Sequence, residues 1–478
     1  MARGSGAGIY AIGRAGKGGA TVAQGAACGT DSLAPQRTGN RRRMFMVTSL
    51  PRLRRHGLLL LSLGVLTLPA NAQQADGLQA ALQAALSQHP AVSGKRAQIE
   101  AREYSADAAR SQRYPSVTAQ VQQYSESSRD TATGEDLSTP VTLRARQPLW
   151  AFGRIDNSIA FADADTEVER VDLLRVRRQL LEQTAVAYSN VLGSRQRLEV
   201  VQASLAAHQS LFEQISHREQ GQLASTADVR LAATRLAQAR ARVERYEGEL
   251  AIARSDLLAL TQTPVPARQP VTPDLLQVSE GEALHQAALQ GSAEVRYKKQ
   301  EIERARASVE QVRTASMPTL YLQAEQDYDQ PSYRDDTRIS LVLEGTLEGM
   351  GFATRGRTDA AVAQQSAAED DLAYAVSELE RSVRRLQRSR ELQAGLVRVQ
   401  TESLAELGAV LGSYQRQYVA GTKSWLDVLN IQREFSEQQL QLVQAKSDWE
   451  IYSLQLAALT GGLDPLVTLN GEELQPHG

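Results

Sequence analysis

An internal duplication constrains the fold of this chain more than any other feature of its sequence. Apolar residues recur every seven positions in one segment, and the residues 199 positions further on are apolar as well. The first set is Val229, Leu236, Val243, Leu250 and Leu257, and the second is Val428, Phe435, Leu442, Trp449 and Leu456. The segments end alike, as Ala259-Leu260-Thr261 and Ala458-Leu459-Thr460. This agreement in phase, spacing and end point indicates a tandem duplication.

The seven-residue period predicts long helices packed as coiled coils. No proline interrupts residues 157–218, so one helix of about sixty residues, roughly 90 Å long, is expected there. Its counterpart covers residues 358–418. Each long helix is followed by a break, near Gly221 or Gly421, and then by a second helix of about forty residues. Taken alone, these helices also fit a purely structural coiled coil.

Each copy also contains two short segments in which apolar and polar residues alternate. They are residues 116–122 and 141–146 in the first copy, and 319–324 and 339–344 in the second. A period of two predicts β-hairpins with one apolar and one polar face. A membrane barrel requires an apolar outer face and a polar inner face. A half-buried hairpin of a soluble protein fits the same pattern.

Four strands per chain are too few to close a membrane barrel, because known barrels begin at about eight strands. Open strand edges cannot face lipid, since their backbone groups would lack hydrogen-bond partners. Several copies of the chain must therefore share one barrel. Three copies give twelve strands, so the sequence predicts a homotrimer.

The N-terminal region predicts export from the cytoplasm. Residues 44–72 combine a basic start, an apolar run and the small residues Pro69-Ala70-Asn71-Ala72, as in a signal peptide cleaved after Ala72. Residues 1–43 lie upstream of it and are interpreted as a non-native extension. Cleavage removes Cys28, the only cysteine, so a lipid anchor on the mature chain is not expected. The acidic, cysteine-free mature chain fits the periplasm or outer membrane.

The remaining composition argues against an enzyme and against nucleic-acid binding. The chain has 53 basic and 55 acidic residues, a formal net charge of −2, which gives no general case for binding nucleic acid. Its six histidines lack metal-ligand spacing. We therefore expect no catalytic residues, no metal and no cofactor. A periplasmic adaptor also uses helical hairpins, but it would insert one hairpin within β-rich modules rather than duplicate the whole unit.

Together these residues resemble the TolC family of outer-membrane channel proteins over about residues 77–464. The most specific segments are Gln147-Pro148-Leu149-Trp150-Ala151-Phe152-Gly153-Arg154, where strand returns to helix, and Gly421-Thr422-Lys423-Ser424-Trp425-Leu426-Asp427-Val428-Leu429-Asn430, at the second hairpin tip. The Lys-Ser-Trp piece is most like members that serve type I protein secretion. Drug or small-molecule efflux by the same fold is the alternative, and a periplasmic adaptor or structural coiled coil is the alternative of another class.

The resemblance implies a mainly α protein with a small β part, made of duplicated long coiled-coil helical hairpins and two β-hairpins. The first TolC-like repeat covers residues 73–275, with a helix, a β-hairpin at 116–150 and a helical hairpin at 157–263. The second covers residues 276–464, with a helix, a β-hairpin at 319–348 and a helical hairpin at 357–461. A C-terminal tail follows at 465–478.

The resemblance also implies an assembly and a location. Three chains form a β-barrel in the outer-membrane lipid that continues into a periplasmic α-helical barrel. This channel-tunnel docks to a periplasmic adaptor, also called a membrane-fusion protein, and to an inner-membrane transporter. It conducts cargo passively to the outside of the cell.

Members of this family close the periplasmic tip with charged and tyrosine contacts around an acidic ring. The matching positions are Tyr418, Lys423 and Asp427 in the second repeat and Asp228 in the first. Asn430 stands where a second acid is often found, so a double acidic ring is in doubt. The alternative for Asp427, after Ser424-Trp425, is a helix N-cap stabilised by the helix dipole, and Asp228, after Ser225-Thr226, has an equally good capping explanation.

Overall fold

The computed structural model describes residues 77–126, 136–138, 141–329, 334–346 and 348–467. The predicted extension, the signal peptide with its cleavage site after Ala72, and most of the C-terminal tail lie outside these residues. Within them, the predicted fold class is confirmed, because long helices dominate and a small antiparallel sheet accompanies them. No helix of the described part combines the length and the apolar character needed to cross a membrane.

The helices repeat in the same order along the two halves of the chain. The first half contains α1 (Gly77–Gln88), α2 (Pro90–Ser111), α3 (Arg154–Gln220) and α4 (Thr226–Thr261). A short helix, α5 (Pro273–Leu276), leads to α6 (Gly281–Gly291), α7 (Ala293–Thr314), α8 (Phe352–Val419) and α9 (Trp425–Thr460). Two 3-10 turns, Glu348–Gly351 and Asp464–Val467, complete the described helical structure.

Each repeat begins with two helices where the sequence predicted one. Pro90 is the first residue of α2, and the Nδ1 atom of His89 accepts a hydrogen bond from the Ala91 amide at 3.2 Å. Proline has no amide hydrogen and fits the first turn of a helix, so it separates α1 from α2. In the second repeat Ser292 caps α7, its hydroxyl accepting from the Val295 amide at 3.2 Å.

The long helices begin earlier than the predicted residues 157 and 357. Gly153 and Gly351 precede α3 and α8 with φ values of 85° and 94°. Glycine adopts this left-handed conformation without steric cost, so each long helix begins directly after its glycine. The helices contain 67 and 68 residues, which at about 1.5 Å per residue makes each roughly 100 Å long.

The four main strands form one antiparallel sheet in which the two repeats lie side by side. Its strands are β1 (Ser116–Val121), β4 (Val141–Trp150), β5 (Thr319–Asp329) and β6 (Arg334–Glu344), paired in the order β1-β4-β5-β6. A small two-stranded ladder, β2 (Tyr124–Glu126) with β3 (Asp136–Ser138), extends the first hairpin. Among the described residues, β1 and β6 each pair on one side only.

The register separates an apolar from a polar face of this sheet. One cross-strand row contains Val117, Ala145, Ala324 and Ile339, and the adjacent row contains Thr118, Arg144, Glu325 and Arg338. In the polar row the Arg144 guanidinium donates to the Glu325 carboxylate at 2.7 Å. Because successive side chains of a strand point to opposite faces, these two rows lie on opposite faces of the sheet.

A register shift between Pro148 and Trp150 places Trp150, rather than Leu149, opposite Leu320. Trp150 pairs with Leu320, which pairs with Leu343, so these three residues form one apolar row. A bulge re-aims a side chain in this way because it adds one residue to one strand. Trp150 also meets Phe152 in a T-shaped ring contact, with ring centroids 6.1 Å apart.

The heptad positions identified in the sequence are buried or half-buried between helices. Leu236, Leu250 and Leu257 of α4 and Val428, Leu442 and Leu456 of α9 are all buried. The largest apolar cluster joins α1, α3, α4 and α9 and includes the fully buried Tyr188, whose hydroxyl donates to the Gln269 carbonyl at 2.9 Å. Both repeats therefore contribute to one core.

The helices α2 and α3 are also joined by a half-buried charge cluster. The Lys95 ammonium lies 2.5 Å from Asp172 and 2.6 Å from Glu169. Asp172 is buried and accepts a second ion pair from Arg175 at 2.6 Å. Charges withdrawn from water in this way require such partners, because an unpaired buried charge is strongly destabilising.

Candidate functional site at the hairpin tips

The tips of the two helical hairpins are built by the same local sequence logic. Ser225 caps the N-terminus of α4 and Ser424 caps that of α9, and each is followed three residues later by an aspartate. Both pairs form reciprocal capping boxes: the Asp228 amide donates to the Ser225 hydroxyl at 3.1 Å, and the Asp427 amide donates to the Ser424 hydroxyl at 3.2 Å. These bonds satisfy amide donors that have no partner within the helix.

The turns before these caps require one left-handed residue each. Gln222 has a φ of 59° in the first turn, and Gly421 has a φ of 77° at the equivalent position of the second. Glycine adopts this conformation readily and other residues do so at some cost. The first turn therefore has glutamine, and the second has glycine, as its left-handed residue.

The capping bonds act on the charge of both aspartates. Hydrogen bonds from the Ser225 hydroxyl and then the Ser225 amide lower the pKa of Asp228, and Trp425 adds a further donor. The Ser424 hydroxyl and amide lower the pKa of Asp427, with the nearby Lys423 ammonium contributing. Donors to the ionised form favour it, so both carboxylates are negatively charged at neutral pH. Both aspartates occupy the third helical position rather than the N-cap. The N-cap is a serine in each case, because its short hydroxyl reaches the backbone amide of the aspartate.

The two tips pack against each other through one apolar cluster. It is formed by Leu211, Ile215, Ala232, Tyr418, Trp425, Val428 and Leu429, with Phe212, Ala224, Val229 and Tyr414 at its margin. Trp425 is 9% exposed, and its indole Nε1 donates to Oδ1 of Asp228 at 3.1 Å. This bond joins the first residue of α9 to the third residue of α4, so it connects the two repeats.

Two cation–π contacts involve the tyrosines of the second hairpin. The Arg218 guanidinium carbon lies 4.3 Å from the centroid of the Tyr418 ring, and the Lys423 ammonium lies 4.5 Å from that of Tyr414. Tyr418 is buried, and its hydroxyl has no hydrogen-bond partner among the described residues. A buried hydroxyl without a partner is costly.

Asn430 is exposed beside three basic side chains and one acidic side chain. It lines a cavity of about 170 Å³ together with Arg235, Arg242 and Arg433. Arg242 forms an ion pair with Glu437 across this cavity at 3.5 Å. The charge beside Asn430 is therefore predominantly positive.

The five residues singled out in the sequence thus lie in one region, although they do not all touch. Trp425 and Arg218 lie in the same region, although no motif in the sequence pointed to a role for either in the gate. The signal for Trp425 was available, because tryptophan is rare in this chain, with three in 478 residues, and this one directly follows a capping serine. Arg218 had no comparable signal. Within the described residues, no three His, Cys, Asp or Glu side chains come together as a metal site.

The family model described as outer membrane efflux protein matches residues 81–262 and 284–462, one segment in each repeat. Searched by sequence, the chain matches no curated protein.

Several solved structures share the fold. CusC superposes with a TM-score of 0.70 at 17% identity, covering 80% of this chain and 92% of its own. VceC from Vibrio cholerae gives 0.67 at 18% identity, covering 83% and 97%. The open state of MtrE from Neisseria gonorrhoeae gives 0.68 at 18% identity, covering 81% and 90%.

Proposed function

Because the chain belongs to the outer membrane efflux protein family, we propose that three copies of it form a channel-tunnel that conducts cargo passively out of the cell. The protein is located in the outer membrane and extends into the periplasm. The sheet provides the part in the lipid, and helices of about 100 Å provide the part that crosses the periplasm. The proposal includes no catalytic step and no cofactor.

The exposed apolar face of the sheet carries this proposal. Val117, Ile339, Leu341 and Leu343 are between 64% and 73% exposed, although they lie in a regular, hydrogen-bonded sheet. An apolar surface of this kind marks contact with lipid or with another chain. Since β1 and β6 also leave one edge each unpaired, three copies joined edge to edge cover both edges and present the apolar face to lipid.

The tips of the helical hairpins are the proposed gate. Three Asp427 carboxylates around a narrow threefold axis create a field that favours cations. Lys423 and Tyr418 are proposed to tie neighbouring copies at the closed tip. The Tyr418 hydroxyl is buried and has no partner among the described residues, so a tie through it requires the tip to rearrange when the copies meet. Asn430 lies one turn beyond Asp427 and contributes no charge to the ring.

The proposed partners are a periplasmic adaptor and an inner-membrane transporter, since a passive channel needs an energised partner to drive export. For the cargo, Lys423-Ser424-Trp425 supports type I protein secretion through its resemblance to such members. Small-molecule efflux is the second candidate, and the description of the matching family favours it. Both cargo classes use the same aqueous tunnel.

Native mass measurement and bilayer recording test the channel itself. We expect the mature protein in detergent to have the mass of three chains and to conduct ions in a planar bilayer. A stable, non-conducting monomer contradicts the proposal. Deleting the gene separates the two cargo classes: loss of a protein from the culture medium supports secretion, and increased drug sensitivity with unchanged secreted protein supports efflux.

Recording at low salt, where screening is weakest, tests the gate residues. We expect Asp427→Ala to reduce cation preference at similar conductance, because it removes three charges without removing a tie between chains. We expect Tyr418→Phe combined with Lys423→Ala to raise conductance, because the ties are lost. If neither change occurs in conducting trimers, the constriction lies elsewhere.

A further inference from the structure

The cavity beside Asn430 is lined by basic side chains from both repeats. It has a volume of about 170 Å³ and lies where α3, α4 and α9 meet. Helix α4 contributes Arg235 and Arg242, and α9 contributes Arg433 and Glu437. Because arginine side chains stay protonated in proteins, the described residues of the lining carry three positive charges against one negative charge.

Among the described residues, two of these arginines have no acidic partner. Nη1 of Arg235 donates to Oε1 of Gln238 at 2.9 Å, and Arg433 forms neither an ion pair nor a hydrogen bond. The guanidinium of Arg242 lies 3.5 Å from the Glu437 carboxylate, which is longer than a normal charge-assisted hydrogen bond. Since like charges held close together repel each other, the excess positive charge of this lining favours the binding of an anion.

The other lining residues provide amide donors and an apolar base. Because Oε1 of Gln238 accepts from Arg235, the NH₂ group of Gln238 remains as a donor, and Asn430 carries an amide of the same kind. Ala239 and Leu429 are buried and form the inner wall of the cavity. A concave site with a few converging polar groups above an apolar wall is typical of a pocket that holds a small ligand.

Helix packing does not account for the three arginines, because the duplication does not repeat them. The apolar positions Leu236 and Phe435 correspond across the shift of 199 residues. At the same shift, the counterparts of the three arginines carry no positive charge. These counterparts are Glu434, Gln441 and Thr234. The same helical unit therefore packs without these charges in its other copy, so the positive lining needs a separate explanation.

We propose that this cavity binds one phosphate-class oxyanion per chain. A guanidinium group donates two parallel hydrogen bonds to a phosphate, and three such groups from two helices match the several oxygens of a tetrahedral anion. The volume of about 170 Å³ equals that of about six water molecules at roughly 30 Å³ each. It holds a phosphoryl group with a few waters and no larger solute. That group belongs either to a free phosphate ion or to a phosphomonoester whose remainder projects into solvent.

Calorimetric titration of the purified protein in detergent with inorganic phosphate tests the site. The ionic strength is held constant with chloride, because salt screens exposed charges. We expect saturable binding of one phosphate per chain. Arg433→Gln and Arg235→Gln should each lower the affinity by about tenfold or more, since each removes charge-assisted hydrogen bonds to the anion. Arg240→Gln is the matched control, because Arg240 is an exposed residue of α4 outside the lining, and its affinity should equal that of the parent.

Glu437→Gln should instead raise the affinity, because it removes a carboxylate that repels the anion and releases Arg242 to bind it. Glycerol 3-phosphate distinguishes the two sources of the phosphoryl group. An affinity equal to that of phosphate indicates an ester, a weaker one indicates the free ion, and both results support the site. The absence of saturable phosphate binding, or equal affinities of Arg433→Gln and Arg240→Gln, overturns it. These outcomes leave the proposed channel intact, since the titration does not depend on conductance.

Discussion

At one close contact between α3 and α9, whether a mutation raises or lowers the free energy of unfolding should depend on a single partner residue. A Cβ atom placed on Gly193 would lie 2.6 Å from the Ser447 Oγ and 3.1 Å from its Cβ. Ser447 is 5% exposed, so the two helices, one from each repeat, touch here without space for another carbon. Gly193→Ala therefore forces either the Ser447 side chain or the helix backbone to move.

The change in the free energy of unfolding follows from two opposing contributions. Overpacking a close-packed contact costs typically about 1–3 kcal/mol. Replacing glycine by alanine within a helix returns about 0.5–1 kcal/mol through propensity and the entropy of the unfolded chain. We expect Gly193→Ala alone to lower the free energy of unfolding by about 1–2 kcal/mol. In a Ser447→Gly background the clash is absent, so Gly193→Ala should raise the free energy of unfolding by about 0.5–1 kcal/mol.

Urea unfolding of the four proteins at one protein and detergent concentration measures this cycle, because the stability of an oligomer depends on concentration. Gly248→Ala is the control: Gly248 lies within α4 and an added Cβ meets nothing within 4 Å. Gly248→Ala should raise the free energy of unfolding only by the gain in helix propensity. A coupling between the Gly193 and Ser447 changes below about 0.5 kcal/mol, the usual limit of additivity, refutes the argument that α3 and α9 are in contact here.

The remaining predictions concern the core, the charge cluster and a half-buried carboxylate. Leu442→Asp should cost several kcal/mol in unfolding free energy because Leu442 is buried, whereas Leu223→Asp, at an 80% exposed site, should change it by less than about 0.5 kcal/mol. Lys95→Met should cost about 1–3 kcal/mol by leaving Asp172 with fewer partners, measured by the urea midpoint. Burial raises the pKa of Glu182 above its ordinary value. Between the pKa of the unfolded chain and that of the folded chain, the folded chain keeps a proton that the unfolded chain has released. The free energy of unfolding therefore falls as the pH rises between these two pKa values. Glu182→Gln should flatten this fall in thermal melts; an unchanged slope contradicts the argument.

The repeated architecture could be predicted because apolar residues recur at a regular spacing in the sequence. The seven-residue spacing through Leu236 and Leu442 predicts helical packing wherever it occurs, and its recurrence 199 residues later predicts a second copy of the same unit. The alternation in residues 116–122 likewise predicts a strand with two different faces. These signals depend on local geometry, which neighbouring residues determine by themselves.

Helix boundaries were predicted less well, for an equally local reason. The start of α3 depends on the backbone of Gly153, and a glycine can end a helix, begin one or occupy a loop. The division between α1 and α2 had a readable signal in Pro90, but the corresponding division before α7 depends on Ser292, a residue common in many contexts. The long helices therefore begin earlier, and the first helices are shorter, than the pattern predicted.

At the hairpin tips, the sequence determined the caps and the tertiary structure determined the partners. The local sequence offered an N-cap at Asp427 and a capping role for Asp228, and the structure gives the N-cap positions to Ser424 and Ser225, with both aspartates at the third helical position of capping boxes. The bond between Asp228 and Trp425 joins residues 197 positions apart, and no local pattern contains it. Only the packing of one repeat against the other brings these side chains together, because contacts between helices depend on how whole faces fit rather than on neighbouring residues.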